Sequence, residues 1–287
     1  MSITTSFNVV PTKAALGADI LGVDISKPLE AAMVAALNQA WHEHLVIRFR
    51  GQSINDEQLV AFSRYFGILD MAPLTTTGKP WIEGFPELNV ISNVEVEGKA
   101  IGGLGYGEAI WHTDMSYKAE PPSASILYGI EIPAGQGHTW FSNQYAAYET
   151  LPPDLRENIV GKSIKHDSSR NSAGFLRKGC TEVRDPREAP GEVHPIVRTH
   201  PVTKRKALFL GRRKDAYVMG LPLAESEALL DRLFDHSAQP QLTWAQEWAV
   251  GDLIIWDNRC TMHRRDAFDP SRRRLLHRAQ IAGDRPF

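Results

Sequence analysis

A histidine and an aspartate stand two positions apart in the segment WHTDMSY, residues 111–117. In an extended backbone the side chains of residues i and i+2 point to the same side, so the His112 imidazole and the Asp114 carboxylate can bind one metal ion together. Two ligands leave a metal ion under-coordinated, and a third has to come from a distant part of the chain. The best candidate is His263, which follows an apolar segment at residues 253–256. The fold must therefore bring two remote strand ends together.

Two imidazoles and one carboxylate on one face of an octahedral metal leave about three positions open, which is typical of non-heme Fe(II) oxygenases. Zinc prefers a closed or nearly closed tetrahedral site, although a hydrolase with a zinc-bound water remains an alternative. A histidine and an aspartate at this spacing also arise by chance in many proteins. The flanking residues therefore have to support a metal site before the pair predicts one.

The charge balance limits the classes of partner. Lysine and arginine number 32 and aspartate and glutamate 34, so the formal net charge is -2. This balance gives no support to binding of nucleic acid or an anionic membrane, and any anion recognition must be local. No apolar run reaches the ~20 residues of a membrane span, and no signal-peptide pattern is present, which predicts a cytoplasmic protein. Cys180 and Cys260 have no CxxC spacing and are predicted to be reduced thiols.

Segments with strand and helix patterns alternate along the 287-residue chain, whose 43% hydrophobic residues can form a substantial core. Helical spacing of apolar residues predicts helices at 29–44, 55–66 and 223–239. Short apolar or alternating runs predict strands, the clearest of them at 45–49, 88–92, 123–132, 253–256 and 272–281. These patterns predict a single domain over residues 1–287, mainly β with peripheral helices (α+β).

Two long segments lack any sustained periodicity. Residues 93–110 include five glycines, and residues 167–192 are polar and rich in Gly, Pro, Ser and Arg. Neither a GK[ST] motif nor a helix follows the glycines, which disfavours a phosphate-binding loop. Long irregular segments in a compact chain are often functional, and we expect both to act as lids over one site.

Two arginines stand four positions apart in the predicted last strand, at Arg274 and Arg278. On an extended backbone these side chains share a face, about 13 Å apart along the strand. Each guanidinium can bind a carboxylate through two parallel hydrogen bonds. One could hold a co-substrate and the other a substrate. The neighbouring Arg272 and Arg273 are instead typical of a solvent-exposed edge strand.

Several motifs together resemble the TauD/TfdA family of Fe(II)- and 2-oxoglutarate-dependent dioxygenases. They are WHTD, Thr139, the phrase WDNRCTMH that ends at His263, the phrase VRTHP at residues 197–201, and the arginine-rich tail. The similarity runs essentially from end to end of the chain. It implies a double-stranded β-helix, a cupin-like jelly roll with the metal at one open end.

The resemblance also implies a role for each matching residue. His112, Asp114 and His263 would hold Fe(II), and Arg274 and Thr139 would bind the distal carboxylate of 2-oxoglutarate. O2 would be the second co-substrate, and succinate and CO2 would be released. A homo-oligomer, dimer or tetramer, is expected. The sequence assigns no role to His138, His166 or His200.

The substrate is inferred from departures within the family. Taurine dioxygenases bind the sulfonate with an arginine that matches Arg278, together with a histidine and a tyrosine; here Ala72 and Thr75 stand at those two positions. Glu108 replaces an asparagine expected before the first ligand. The chain is more similar to the 2,4-dichlorophenoxyacetate-type enzymes, which implies a small anionic substrate such as an aryloxyalkanoate and cleavage of its ether bond. A sulfonate dioxygenase and a non-catalytic metal-binding β-barrel are the alternatives.

Overall fold

The structure is a computed structural model that describes residues 7–75, 77–105, 109–171 and 174–287. Its strands are β1 (Asn8–Pro11), β2 (Ala18–Leu21), β3 (Val46–Phe49), β4 (Asn89–Ser92), β5 (Glu95–Val96), β6 (Lys99–Ala100), β7 (Gly103–Leu104), β8 (Ala109–His112), β9 (Ala124–Glu131), β10 (Thr139–Asn143), β11 (Ser163–Lys165), β12 (Val193–Pro195), β13 (Val197–Thr199), β14 (Lys206–Leu208), β15 (Tyr217–Val218), β16 (Thr243–Gln246), β17 (Leu253–Asp257), β18 (Thr261–Arg265) and β19 (Leu275–Ile281). Its α-helices are α1 (Ala31–His44), α2 (Asp56–Ser63), α3 (Gln144–Glu149), α4 (Pro153–Asn158) and α5 (Leu223–Ser237). Short 3-10 turns lie at Arg64–Phe66, Pro186–Glu188 and Pro240–Leu242.

Two sheets form the centre of the molecule. The large sheet has the strand order β1-β2-β3-β17-β9-β19-β4-β7, and the small sheet has the order β16-β10-β18-β8. They pack face to face, because the rings of Trp256 in β17 and Phe141 in β10 have centroids 5.5 Å apart. Two facing sheets of mainly antiparallel strands with few helices are a jelly roll, which confirms the predicted mainly β fold.

The side chains of β17 show how the sequence specifies this arrangement. Leu253 and Ile255 pack in the core between the large sheet and the first two helices. Ile254 and Trp256, which point the other way, pack in the core between the two sheets. Successive side chains of a strand point to opposite faces of the sheet. Because both faces of β17 are buried, the segment is apolar at every position from 253 to 256.

Three predicted helices are present at the periphery. Helix α2 begins with an N-cap at Asn55, whose Oδ1 accepts a hydrogen bond from Gln58 N, while Gln58 Oε1 accepts one from Asn55 N. This capping box satisfies two backbone donors that the helix leaves unpaired. Helix α5 buries Leu229, Leu230 and Leu233 against the strands around β15, as its apolar periodicity predicts.

Two segments differ clearly from the predictions. The segment predicted as an irregular loop before His112 contains the hairpin β5–β6 and strand β7, whose two-residue lengths are too short to show periodicity. Gly102 is needed there, because a Cβ atom would lie 2.9 Å from Ser92 N. The last strand begins at Leu275 rather than Arg272, because the backbone N–H of Arg274 donates to Asn93 Oδ1 instead of to a neighbouring strand.

The second predicted irregular segment, residues 167–192, has little regular structure apart from the turn at Pro186–Glu188 and an isolated bridge between Arg170 and Leu176. Among the described residues, no helix has the length and apolar character needed to cross a membrane.

Candidate active site

The two predicted histidine ligands lie directly opposite each other on neighbouring strands of the small sheet. His112 ends β8 and is the register partner of His263 in β18. Asp114 follows in the turn after β8, with its Oδ1 atom 3.6 Å from His112 Nε2 and 3.9 Å from His263 Nε2. One donor atom from each residue lies within 4.8 Å of the other two. The structure therefore brings the three residues together at one sheet end.

The turn that carries Asp114 is held by strained and hydrogen-bonded backbone. Met115 has a φ of 46°, the left-handed region that a non-glycine residue seldom adopts. Such a conformation costs on the order of 1–3 kcal/mol and persists only where the surroundings enforce it. Here the backbone N–H of Thr113 donates to Gly211 O at 3.1 Å. The turn keeps the Asp114 side chain on the side of the imidazoles although the strand has ended.

Both imidazoles are in the form that a metal requires. His112 Nδ1 lies 2.8 Å from Ile110 O, so this nitrogen carries the proton and Nε2 keeps its lone pair for a metal. Burial, together with the neighbouring His112, lowers the pKa of His263 to about 3. A neutral His263 can bind a cation without first releasing a proton.

The Asp114 carboxylate is ionised despite being buried. Burial raises its pKa, but the Arg278 guanidinium and the two imidazoles outweigh this effect and hold the pKa well below its usual range. Its Oδ2 atom accepts hydrogen bonds from Ser125 Oγ at 2.7 Å and from Gln280 Nε2 at 3.2 Å. Oδ1 is thereby left facing the imidazoles. Two neutral nitrogen donors and one carboxylate oxygen fit a divalent transition metal.

A buried chain of hydrogen bonds continues behind Ser125. Asn258 Nδ2 donates to Ser125 Oγ at 3.0 Å, and Trp256 Nε1 donates to Asn258 Oδ1 at 2.8 Å. Sequence reasoning missed these supporting residues. Gln280 could have been found, because it continues the face of β19 that carries Arg278; Ser125 gives no local signal.

The predicted co-substrate residues lie around a cluster of buried cations. Thr139 in β10 is the register partner of Arg265 in β18, and its Oγ1 accepts a hydrogen bond from Trp248 Nε1 at 2.9 Å. The Thr139 hydroxyl proton therefore remains available for another acceptor. Arg274 is 2% exposed, and its guanidinium carbon lies 5.8 Å from the centroid of the Phe268 ring.

Arg265 packs on the same ring as Arg274, with its guanidinium carbon 5.2 Å from the Phe268 centroid. Burial lowers the pKa of Arg274 to about 9, and the charge of Arg265 contributes to this shift. Burial also lowers the pKa of Arg265 to about 10. Both guanidinium groups stay charged at neutral pH, and a bound carboxylate would offset the cost of burying them. No local motif singles out Arg265 in the sequence.

A cavity of about 270 Å³ opens beside the His112–Asp114 pair. Arg278 lies in its wall, with Nη1 3.5 Å from Asp114 Oδ2. Both predicted lid segments also contribute to the wall, as do Met115 and Tyr117 from the turn after β8. The lining residues are Pro73, Trp81, Asn89, Ile91, Gly103, His112, Asp114, Met115, Tyr117, Asn171, Arg177, Arg212 and Arg278.

Two of the predicted substrate residues, Ala72 and Thr75, are not among the described lining residues, although Pro73 between them does line the cavity. Thr75 Oγ1 instead lies 2.9 Å from Thr77 Oγ1. Glu108 lies outside the described residues. A substrate role for these three residues stays a prediction.

Two lining arginines were missed from the sequence, Arg177 and Arg212. Their guanidinium groups converge on one acceptor, since Arg212 Nη1 donates to Arg170 O at 2.6 Å and Arg177 Nε donates to the same oxygen at 3.1 Å. Arg177 also lies over the Tyr117 ring, 4.3 Å from its centroid. In sequence, both resemble ordinary surface arginines, and only the fold reveals that they face the metal cluster.

Two of the histidines without an assigned role, His166 and His200, are buried and are not part of the metal cluster. His200 Nε2 lies 3.0 Å from Asp257 Oδ2, and Arg259 donates to both oxygens of the same carboxylate. This is a structural ion-pair network behind the small sheet. His166 packs beside His194, with ring centroids 5.3 Å apart.

Comparisons with known proteins agree with this geometry. The family described as "Taurine catabolism dioxygenase TauD, TfdA family" matches residues 8–280. The alpha-ketoglutarate-dependent 2,4-dichlorophenoxyacetate dioxygenase of Cupriavidus pinatubonensis is 34% identical over 284 residues, which are 96% of this chain and 97% of that protein. A taurine dioxygenase structure from Burkholderia xenovorans has a TM-score of 0.78 at 32% identity and covers 98% of this chain and 92% of its own. The structure of AAD-2 in complex with Mn(II) and N-oxalylglycine has a TM-score of 0.77 at 26% identity. The match covers 98% of this chain and 99% of that chain.

The jelly roll, the buried cluster of two imidazoles and a carboxylate, and these relatives define an Fe(II)- and 2-oxoglutarate-dependent dioxygenase, an oxidoreductase that consumes O2. The predicted cofactors, Fe(II) and 2-oxoglutarate with O2, are confirmed at the level of this class. Within the class, the chain belongs to the TauD/TfdA family. Its similarity to the 2,4-dichlorophenoxyacetate enzyme confirms the resemblance expected from the sequence motifs.

Proposed function

We propose that the protein hydroxylates an aryloxyalkanoate, a small carboxylic acid of the phenoxyacetate type, at the carbon beside the ether oxygen. The hydroxylated product is a hemiacetal, which separates into a phenol and a 2-oxo acid; phenoxyacetate would give phenol and glyoxylate. One molecule each of 2-oxoglutarate and O2 is consumed, and succinate and CO2 leave. The named activity of the Cupriavidus relative supports this substrate class.

In this proposal His112, Asp114 and His263 hold Fe(II) through their Nε2 and Oδ1 atoms. Bound Fe(II) and 2-oxoglutarate supply the oxidising chemistry, and the protein supplies position and protection. Arg274 and the Thr139 hydroxyl bind the distal carboxylate of 2-oxoglutarate. The buried charge of Arg274 and the hydrogen bond from Trp248, which fixes the acceptor side of Thr139, support this assignment.

The observation that carries the proposal is the position of Arg278 in the cavity wall, 3.5 Å from Asp114 Oδ2. A carboxylate bound by Arg278 is held beside the metal cluster, so the carbon next to it lies close to the reacting centre. The apolar side chains of Trp81, Ile91 and Tyr117 line the same cavity and suit an aromatic ring. We assign the substrate anion to Arg278 and the aryl group to this apolar wall.

A sulfonate is the second candidate, because a guanidinium binds a sulfonate as well as a carboxylate and one solved relative is a taurine dioxygenase. The apolar wall argues against taurine itself, which has no ring to place there. A non-catalytic metal-binding role is the third candidate, and the absence of turnover would be its signature.

Further parts of the proposal concern the whole chain. We propose one catalytic domain over residues 1–287, with segments 93–110 and 167–192 closing over the cavity as lids. Both segments contribute lining residues, Gly103 from the first and Arg177 from the second.

We also propose a homo-oligomer that works in the cytoplasm. The free thiols Cys180 and Cys260 support a reducing compartment, and exposed apolar residues such as Ile68, at 81% exposure, offer surface for self-association.

The test is anaerobic loading of the purified protein with Fe(II) and 2-oxoglutarate, followed by O2 and a panel of phenoxyacetate, 2-phenoxypropionate and taurine. We expect succinate and a phenol in equal amounts from at least one aryloxyalkanoate. The variant Arg278→Met should raise the KM for the aryloxyalkanoate at least tenfold while the KM for 2-oxoglutarate stays within about twofold. No succinate with any compound would overturn the dioxygenase assignment, and turnover of taurine alone would move the substrate to the sulfonates.

A further inference from the structure

The cavity contains more positive charge than one carboxylate needs. Arg278 approaches it from β19, whereas Arg177 and Arg212 approach from the irregular segments around residues 170–177 and 209–213. Asp114 is the one acidic residue among the lining residues that the structure describes, and its charge is directed to the metal cluster. Three guanidinium groups therefore face a space of about 270 Å³.

Arg177 and Arg212 are oriented as a pair. Both donate to Arg170 O, which turns the two guanidinium groups toward each other. Arg177 is held further by the Tyr117 ring. Two like charges that share a neutral acceptor repel each other, and an oxyanion between them would make that arrangement favourable through charge-assisted hydrogen bonds.

Arg212 is the stronger anchor of the two. It is 8% exposed, and its Nε atom has no hydrogen-bond partner within the described part of the chain. Burial lowers its pKa, and the charge of Arg177 is the next cause. A buried charge without a partner of opposite sign is costly, and an anion bound in the adjoining cavity would offset that cost.

The nearby carboxylates are already engaged. Arg170 directs its own guanidinium to Glu182 and Asp215, and both oxygens of Asp167 accept hydrogen bonds from Ser169. No ion pair between a described carboxylate and either Arg177 or Arg212 occurs within 4.0 Å. The pair is therefore available for an anion in the cavity.

The pair is also tied to the metal cluster. Gly211, the residue before Arg212, accepts the backbone hydrogen bond from Thr113, the residue between the two ligands of the HxD motif. The Asp114 charge acts on the pKa of Arg212, which places the guanidinium within electrostatic reach of the cluster. One small molecule in the cavity can meet Arg278 at one end and the Arg177–Arg212 pair at another.

We propose that Arg177 and Arg212 form a second anion-binding subsite, and that the preferred substrate carries two acidic groups, one for this pair and one for Arg278. This inference rests on the proposed function, since it assumes a hydroxylated carbon beside the group at Arg278. It narrows the substrate class to small organic dianions, such as an aryloxyalkanoate with a second acidic group on its ring.

The experiment compares phenoxyacetate with its 2-, 3- and 4-carboxy derivatives, which differ only in the position of the second carboxylate. At least one derivative should have a kcat/KM tenfold or more above that of phenoxyacetate. Arg212→Met and Arg177→Met should each remove this preference, by raising the KM for the dianion at least tenfold more than the KM for phenoxyacetate. Arg213→Met is the matched control, because Arg213 pairs with Glu227 and Asp231 outside the cavity and should leave the preference intact.

Binding without turnover separates this inference from the proposed function. The affinity of each compound for the protein loaded with Fe(II) and 2-oxoglutarate is measured anaerobically by calorimetry. Tighter binding of a dianion that is lost in Arg177→Met supports the subsite even if no compound is hydroxylated, an outcome that would overturn only the proposed function. Since Arg212→Met could unfold the protein, Arg212→Lys and the half-buried Arg177 provide independent variants. Equal binding and turnover of mono- and dianions, or a preference that survives both methionine variants, overturns the second subsite.

Discussion

The Ser125 hydroxyl, on a strand of the large sheet, donates a 2.7 Å hydrogen bond to Oδ2 of Asp114, which lies in the turn after a strand of the small sheet. Ser125 is in β9 of the large sheet, and Asp114 follows β8 of the small sheet. The bond joins the two sheets at the metal cluster and leaves Oδ1 directed at the imidazoles. The orientation of this carboxylate is thus determined by a residue 11 positions along the chain that cannot itself bind the metal.

Ser125→Ala should weaken metal binding without removing a ligand. The loss of an outer hydrogen bond to a ligating carboxylate typically lowers metal affinity by about 10- to 100-fold, and we expect the lower end because Gln280 still contacts Asp114. Titration of the anaerobic protein with Fe(II), or with Mn(II) followed by EPR, measures the Kd. Ser123→Ala is the control, since the Ser123 hydroxyl donates to Ala282 O rather than to Asp114. Equal affinities of the Ser125→Ala and wild-type proteins would contradict the positioning role.

Trp248→Phe should weaken 2-oxoglutarate binding. The indole N–H fixes the acceptor side of the Thr139 hydroxyl, and a net hydrogen bond is worth about 1 kcal/mol, so the KM for 2-oxoglutarate should rise about fivefold. The KM for the substrate should not change. Trp244→Phe, at a tryptophan that stacks on Phe141, is the matched control. A rise in both KM values to the same extent would indicate general loss of packing instead.

Arg265→Met should also weaken 2-oxoglutarate binding, because Arg265 lies opposite Thr139 and shares the Phe268 ring with Arg274. A hydrogen bond to a charged group contributes about 1.5–3 kcal/mol, which predicts a Kd at least tenfold higher. Anaerobic calorimetry with 2-oxoglutarate and Mn(II) measures the Kd directly. Arg264→Met serves for comparison, since Arg264 pairs with Asp266 on the other face of β18. If both variants bound 2-oxoglutarate like the wild type, Arg274 would be the sole charged contact.

The buried His166 makes stability depend on pH. Its side chain is 1% exposed, neither ring nitrogen has a hydrogen-bond partner in the described ranges, and burial lowers its pKa to about 3. In the unfolded chain a histidine has a pKa of about 6.5, so below that pH the unfolded state binds a proton that the folded state does not. The free energy of unfolding is therefore unaffected by His166 above pH 6.5 and falls as the pH decreases toward about 3.

Each pH unit in that window corresponds to about 1.4 kcal/mol. His166→Leu should reduce the loss of stability between pH 7 and pH 5 by about 2 kcal/mol, as measured by urea unfolding at the two values. The same loss in the wild type and in His166→Leu would show that other groups dominate the acid sensitivity.

The metal cluster was predictable because two of its three ligands are close together in the sequence. His112 and Asp114 are two positions apart, and His263 follows a strand whose apolar run is plain in the sequence. The strands with full burial, such as β17, were predictable too. Apolar residues that recur every two positions in strands, or every 3.6 positions in helices, can be recognised without knowledge of the fold.

The supporting residues were not predictable because their contacts depend on how the two sheets pack. Trp248 donates a hydrogen bond to Thr139, which is 109 positions away in the chain, and Gln280 donates one to Asp114, which is 166 positions away. Arg212 is a further example, since the sequence GRRKD gives no sign that one arginine is buried and that its neighbour is partly exposed and paired with Glu227 of α5. Burial of a polar residue is a property of the tertiary structure and has no local period.

The two oxygens of the Asp114 carboxylate have different neighbours, since Oδ1 faces the imidazoles of the metal cluster and Oδ2 lies 3.5 Å from the Arg278 guanidinium. A divalent metal held by Oδ1 would draw charge from the carboxylate and weaken its attraction for Arg278, which would become freer to bind the substrate anion. Because binding free energies are reciprocal, the substrate must then raise the affinity for the metal by the same factor. The two ligands are therefore cooperative, and iron should be retained best when substrate is abundant.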